Sequence, residues 1–283
     1  QEQPFFSVVI PTCNRADMLR QAIQSVLEQT FSNWEMIVVD DHSTDNTSQI
    51  VASFNDPRIF YLVNDRGRGG AGARNTGIAH TRGQWVAFLD DDDVWLAEKL
   101  DAYYQTVTAA DSAVGLVYSD FAFYDFDLHR IQQVIHHSKS PCTLDDLFLR
   151  NEIGTMSIVA IRTDILCRVQ GLDERFLARQ DIELYVRVLE HCRAHFCDRV
   201  LTYVRQTNKD RISVNWGKRL QGERLFSQKH LALTRHTRAY LLRARRQLYY
   251  AYRARSWSDM LRLLPLAILS VAVRPINVKN WLE

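Results

Sequence analysis

The sequence predicts an α/β domain whose largely parallel sheet is flanked by helices. Three observations lead to this. Short runs rich in β-branched residues recur through the first 125 residues, each followed by apolar residues at helical spacing. The strand runs are apolar at consecutive positions, as strands covered on both faces are. Each run also ends in a polar or glycine-rich stretch, and parallel sheets bind ligands at those carboxyl ends.

Taken in order, Phe6–Pro11 (FSVVIP) reads as the first strand. A helix follows over Ala16–Gln29, with Leu19, Ile23, Val26 and Leu27 on one face. Glu35–Asp40 (EMIVVD) is the second strand, and Asp45–Phe54 a helix opened by capping signals at Ser43 and Asp45. Ile59–Val63 is the third strand, followed by a glycine-rich loop and a helix over Ala73–His80. Gln84–Leu89 (QWVAFL) is the fourth and runs into four aspartates. A helix is expected over Val94–Thr108 and a strand over Val114–Phe123. The segment 126–205 is less regular, with strands over Ser157–Arg162 and His195–Tyr203 and a helix over Gln180–Leu189. From about Val214 the chain reads as helical and basic. The expected division is a catalytic domain over 1–205 and a basic helical region over 206–283.

Four strand ends carry unusual polar residues: Pro11-Thr12-Cys13-Asn14-Arg15, Asp40-Asp41, Arg66–Gly72 and Asp90–Asp93. Four in succession point to one polar site. The run Asp90-Asp91-Asp92-Asp93 is the strongest signal, because adjacent carboxylates repel one another and packing gains nothing from them. A divalent cation with a taste for hard oxygen ligands, Mg²⁺ or Mn²⁺, is the simplest compensation. On an extended segment residues i and i+2 point the same way, so Asp90 and Asp92, or Asp91 and Asp93, share a side. The competing explanation is an acidic cap on the helix that follows. Trp85 and Trp95 are expected to pack around this loop.

The stretch Arg66-Gly-Arg-Gly-Gly-Ala-Gly-Ala-Arg74 sets three arginines and several glycines before a helix N-terminus, a combination that favours a phosphate. Gly67, Gly69 and Gly72 also match a dinucleotide-binding GxGxxG pattern. That reading is disfavoured, since the pattern follows the third strand rather than the first. A carboxylate at Asp40 or Asp41 suits a nucleobase imide N–H or a ribose hydroxyl, with an Asx-turn as the alternative. Asp181 opens a helix and, by itself, reads as a cap. His191, Cys192, His195 and Cys197 have no defensible zinc spacing.

Charge is divided unevenly. From Arg205 to Glu283 there are 17 Lys and Arg against 4 Asp and Glu; the first 204 residues carry 18 against 29. An acidic body suits cation-dependent chemistry and a basic tail an anionic surface, although solvated arginines on a helix explain the tail as well. Basic and aromatic residues interleave over Arg243–Arg255, and an apolar segment follows, a pattern of interfacial membrane helices. The longest apolar run, Leu263–Val273, has 11 residues and contains Pro265; a span needs about 18–20. The first residues lack the pattern of a secretory signal, and five irregularly spaced cysteines argue against a disulfide scaffold. A cytoplasmic protein, peripheral at the membrane face, is the expectation.

Together these motifs resemble family 2 glycosyltransferases of the GT-A fold, a Rossmann-like architecture. The resemblance runs from Val8–Arg15 through Ser25–Phe31, Val39–Asp45, Ala73–Gly77 and Gly83–Trp95 to Gly171–Phe176 and Gln180-Asp181, covering about residues 5–205. It implies an inverting transferase that uses a nucleotide-activated sugar, commonly a UDP-sugar, with Mn²⁺ or Mg²⁺ and a glycan or lipid-linked acceptor. Pro11, Thr12, Asn14 and Arg15 match the family's first nucleotide loop, Asp40 with Asp41 the acid that reads the base, and Arg74 a diphosphate-side residue. Asp90 and Asp92 match the metal-binding DxD-type pair, Asp92 being the preferred direct ligand, with Asp91 on the sugar or ribose side. Asp181 matches the catalytic base; where the family commonly has Glu before it, this chain has Gln180. Ser213 loosely matches a downstream nucleotide-side motif. Two other functions fit less well. A sugar nucleotidyltransferase would want a lysine-bearing glycine-rich loop after the first strand, and a non-catalytic nucleotide-sugar-binding partner would have no use for Asp181.

Overall fold

The structure, a computed structural model, describes residues 3–137, 141–149, 151–206, 215–230 and 238–273. The chain forms two compact units. One comprises residues 1–147, 151–174 and 181–207; the other comprises 148–150, 175–180 and 208–283.

The first unit is built on one sheet with the order β3-β2-β1-β4-β8-β6-β9-β5 and with β7 paired to β6. Here β1 is Phe6–Thr12, β2 Trp34–Asp40, β3 Ile59–Val63, β4 Trp85–Phe88, β5 Val94–Trp95, β6 Val114–Asp125, β7 Arg130–Ile135, β8 Val159–Arg162 and β9 Arg193–Arg205. Every residue of β1 and β2 is buried, which is why their runs are apolar without alternation. β1 pairs in parallel with β2 and β4, and β2 with β3. β8 then enters antiparallel between β4 and β6, and β9 runs parallel to β6.

The chain therefore moves outward from β1 to β3 and returns to β4 on the other side of β1. The resulting switch point lies between the carboxyl ends of β1 and β4, where a ligand crevice opens. Pro11 sits at that mouth. Pairing of β1 with β4 ends at Val9 and Phe88, so the N–H that proline lacks falls where the ladder has already stopped.

The helix α1 (Ala16–Leu27) buries Leu19, Ile23 and Val26 against the sheet, as its spacing predicts. α2 (Thr47–Ala52) and α3 (Gly70–Ala79) follow β2 and β3. α3 lies so close to the sheet that a Cβ on Gly77 would meet Val9 Cγ1 at 2.5 Å. The helix expected over Val94–Thr108 begins only at Lys99, as α4 (Lys99–Ala109). Val94 and Trp95 instead pair with Tyr203 and Thr202, so the four aspartates do not cap a helix. Trp95 does pack by the acidic loop, its Nε1 donating to Ser157 O at 2.8 Å. Trp85 does not; it pairs with Phe6 and Arg162 at the other end of β4. The segment read as irregular contains β7, α5 (Leu144–Leu149), α6 (Thr163–Arg168) and α7 (Gln180–Leu189).

The second unit contains α8 (Trp216–Lys229), α9 (Arg238–Arg253) and α10 (Trp257–Val273). Leu220, Tyr250 and Ala251 form a small core with Trp216, Tyr249 and Met260. Glu223 is fully buried, with Arg179 Nε at 2.7 Å and Arg243 Nη1 at 2.9 Å. Burial alone would raise the carboxyl, but Arg179, Arg243 and Arg246 outweigh it and hold it down at about 2. Part of the basic charge of the tail is thus internal. Tyr252, Trp257, Leu261 and Leu264 are exposed. No helix among the described residues is long and apolar enough to cross a membrane.

Candidate active site

The polar strand ends converge at the β1/β4 switch point. Thr12, the last residue of β1, donates its hydroxyl to Asp91 Oδ2 at 2.9 Å. Arg15 Nη1 reaches both Asp91 Oδ1 and Asp92 Oδ2 at 3.0 Å. Burial would lower the Arg15 pKa, yet the two carboxylates raise it overall. Asp90 takes an ion pair from Arg74 Nη2, and Arg74 also donates to Gly70 O at 3.0 Å. Of the four aspartates, Asp91 and Asp93 are buried while Asp90 and Asp92 are half-buried, the i, i+2 alternation of an extended segment.

The buried pair is anchored. Burial pushes the Asp91 carboxyl up to about 6 against the pull of Arg15, with Asp92 and Asp90 adding to the rise. Burial likewise pushes Asp93 well above the usual carboxylate range, and the Arg205 N–H donates to its Oδ1 at 3.0 Å. Arg205 Nε also reaches Asp92 O at 3.2 Å. The backbone N–H of Asp90 donates to Ser157 Oγ at 3.0 Å. Carboxylate oxygens are hard donors, and Asp90 and Asp92 face one side of this loop, so the donor set suits Mg²⁺ or Mn²⁺. Among the described residues no group of three or more His, Cys, Asp and Glu side chains is gathered as a cation site; the arginines Arg15 and Arg74 hold these carboxylates instead.

The end of β2 lies beside this loop. Asp40 is buried; Tyr61 donates to its Oδ2 at 2.5 Å and the Ser43 N–H to its Oδ1 at 2.8 Å. Burial first, then Asp40, raises the Tyr61 pKa, so Tyr61 is a fixed donor. Asp41 accepts from Asn64 Nδ2 at 2.6 Å and from the Gly69 N–H at 2.7 Å, while its own N–H donates to Thr12 O at 2.8 Å. It ties the ends of β1 and β2 to the loop before α3, where Gly69 adopts φ +108°. Asn14, at φ 53°, accepts from the Thr44 N–H at 2.7 Å and donates its own N–H to Ser43 Oγ at 2.8 Å.

The three arginines of the glycine-rich stretch do not converge. Arg74 is buried at Asp90, Arg66 lies 3.9 Å from Glu174, and Arg68 is exposed. Asp181, at the start of α7, is half-buried and accepts from Asn151 Nδ2 at 2.8 Å. Burial pushes the Tyr185 hydroxyl well above its usual range, and the charges of Asp181 and Asp90 push it further. Tyr185, one turn on from Asp181 in α7, donates to Met156 Sδ at 3.3 Å, and the neighbouring Ser157 Oγ accepts the Asp90 N–H, so the start of α7 lies toward the acidic loop. Ser213 lies outside the described residues.

Sequence reasoning missed Tyr61, Asn64, Asn151, Ser157 and Arg205. Asn64 directly follows β3 and Arg205 ends β9, so the strand-end rule reaches both. Tyr61, Asn151 and Ser157 carry no local signal.

The chain matches the model for glycosyl transferase family 2 over residues 7–161. It is 31% identical over 186 residues to the Escherichia coli enzyme UDP-Glc:alpha-D-GlcNAc-diphosphoundecaprenol beta-1,3-glucosyltransferase WfgD, covering 65% of this chain and 69% of that one. It is 30% identical to the putative teichuronic acid biosynthesis glycosyltransferase TuaG of Bacillus subtilis, over 66% of this chain and 73% of that one. The fold resembles S. aureus TarS 1-349 in complex with UDP-GlcNAc, with TM-score 0.66 and 18% identity over 98% of this chain and 78% of that one. It also resembles the mannosyltransferase PcManGT of Pyrobaculum calidifontis in complex with GDP-Man and Mn²⁺, with TM-score 0.59 and 21% identity over 96% and 81%. The architecture is that of GT-A glycosyltransferases, and the chain belongs to glycosyl transferase family 2.

Proposed function

We propose that the protein is an inverting, divalent-cation-dependent glycosyltransferase that moves a sugar from a UDP-sugar to a hydroxyl of a lipid-linked or other glycan acceptor. The observation that carries this reading is the convergence of Asp90, Asp92, Arg15 and Arg74 at one switch point, with α7, which Asp181 opens, linked to the same loop through Tyr185, Met156 and Ser157. The activity for which WfgD is named and the nucleotide sugar bound to TarS support a UDP donor and a diphospholipid-linked acceptor.

The roles follow from the chemistry. Asp40, held by Tyr61 and the Ser43 N–H, reads the base, and Pro11, Thr12, Asn14 and Asp41 shape the loops around the nucleoside. Asp90 and Asp92 would hold Mn²⁺ or Mg²⁺, which supplies a Lewis acid for charge on the departing diphosphate. Arg15 and Arg74 neutralise the same charge from the protein side. Asp91, tied to Thr12 and Arg15, fixes the loop next to the sugar or ribose. Asp181 takes the proton from the acceptor hydroxyl as its oxygen attacks the anomeric carbon opposite the leaving group. The C–O bond to the diphosphate breaks in the same displacement, and the configuration inverts.

A panel of nucleotide sugars with Mn²⁺ and a polyprenyl-diphosphate-linked acceptor, read as released nucleotide, tests this. UDP-sugars should give turnover and EDTA should stop it. Release from none of the donors, or release indifferent to EDTA, counts against the reading.

A peripheral membrane contact is the complement of a lipid-linked acceptor. Trp257 and Leu261, 76% and 74% exposed, lie on α10, and Arg253 and Arg255 directly precede that helix, a pairing suited to an anionic interface. Trp257→Glu with Leu261→Glu should weaken partitioning onto anionic vesicles about tenfold or more. Nucleotide release from a soluble acceptor analogue should stay unchanged. Unaltered vesicle binding would remove α10 from the interface.

A further inference from the structure

Away from the acidic loop, β6 buries a second carboxylate, Asp120, at 2% exposure. It sits where the pairing of β6 with β9 shifts register. Its Oδ1 accepts the backbone N–H of His137 at 2.7 Å and lies 2.9 Å from His137 Nδ1; its Oδ2 lies 2.7 Å from Nδ1 of the exposed His136. The His137 ring is buried among Tyr118, Phe121 and Phe196, with centroids at 5.2, 6.1 and 5.7 Å. Its other nitrogen, Nε2, lies 2.8 Å from Ile153 O.

Both ring nitrogens therefore face acceptors, a carboxylate and a carbonyl. Both contacts are hydrogen bonds only when the ring carries two N–H groups, as an imidazolium. Ile153 belongs to a tight turn closed by Asn151, whose Oδ1 accepts the Gly154 N–H at 3.0 Å and whose Nδ2 donates to Gly154 O at 2.9 Å. Gly154 adopts φ +104° there. The same Asn151 Nδ2 donates to Asp181 Oδ2 at 2.8 Å.

We propose that His137, held by Asp120, is a positioning residue for Asp181: it pins the 151–154 turn from which Asn151 aims that carboxylate. The inference rests on Asp181 being the base. The contact of Nε2 with Ile153 O holds the turn, and Asp120, through the His137 N–H and Nδ1, holds the ring.

Two variants separate the contacts, since an Asn amide reaches the place of Nδ1 and a Gln amide that of Nε2. His137→Asn should lower kcat about ten- to a hundredfold, the scale of a misplaced catalytic group, with donor KM within about twofold. His137→Gln should keep kcat within about threefold, rescuing what His137→Asn loses. Equal kcat in both variants, or parallel losses of kcat and thermal stability in both, would overturn the proposal in favour of simple packing. Asp181→Asn measured alongside separates the two readings: an active Asp181→Asn removes the base and this inference with it, whereas an inactive one beside a fully active His137→Asn removes this inference alone.

Discussion

Asp181→Asn should reduce transfer by about a thousandfold or more while leaving donor affinity within about twofold, because general-base catalysis supplies roughly 10²–10⁴ and nothing in nucleotide binding depends on it. The substitution is nearly isosteric. Asn151 Nδ2 can still donate, now to the amide oxygen, so the turn at 151–154 keeps its partner and thermal stability should not move. What disappears is the lone pair that receives the acceptor proton. Single-turnover measurements together with UDP titration check this. If binding and turnover fell together, Asp181 would be a helix cap, which is how it reads without its neighbours.

The second large effect separates two aspartates that look alike in the sequence. Asp92→Asn should cut turnover by about a hundredfold or more, matched by chelation of the native enzyme, because charge on the leaving diphosphate loses its main stabilisation. Asp92 is half-buried and its Arg15 partner retains Asp91 at 3.0 Å, so folding should be unaffected. Asp90→Asn should cost turnover and stability together. It strips the charge partner from the buried guanidinium of Arg74, and leaving a buried charge unpaired is destabilising. Melting curves beside nucleotide-release rates read both effects. Equal stability losses in the two variants would mean that the burial of Arg74, against the partly exposed Arg15, has no energetic meaning.

The sheet core was legible because burial on both faces demands a continuous apolar run, and β1 and β2 have one. β7 was not legible, since RIQQVI is exposed at five of six positions and holds its place through backbone pairing with β6. The helix start was misjudged for a related reason: Val94 and Trp95 have no local reason to be extended, and their strand exists only because β9 passes alongside. The Asp90–Asp93 alternation, by contrast, needs nothing beyond the geometry of an extended chain.

By itself, then, the sequence determined the layered α/β class, the strand ends at which polar chemistry collects, and the acidic loop with its two-sided alternation. Which side chain holds which is set by the packing of distant segments. Arg15 meets Asp91 across 76 positions, Tyr61 meets Asp40 across 21, and Asn151 meets Asp181 across 30. Periodicity reports which side of an element faces the core, whereas these contacts depend on strand order and register, which are set when distant segments pack together.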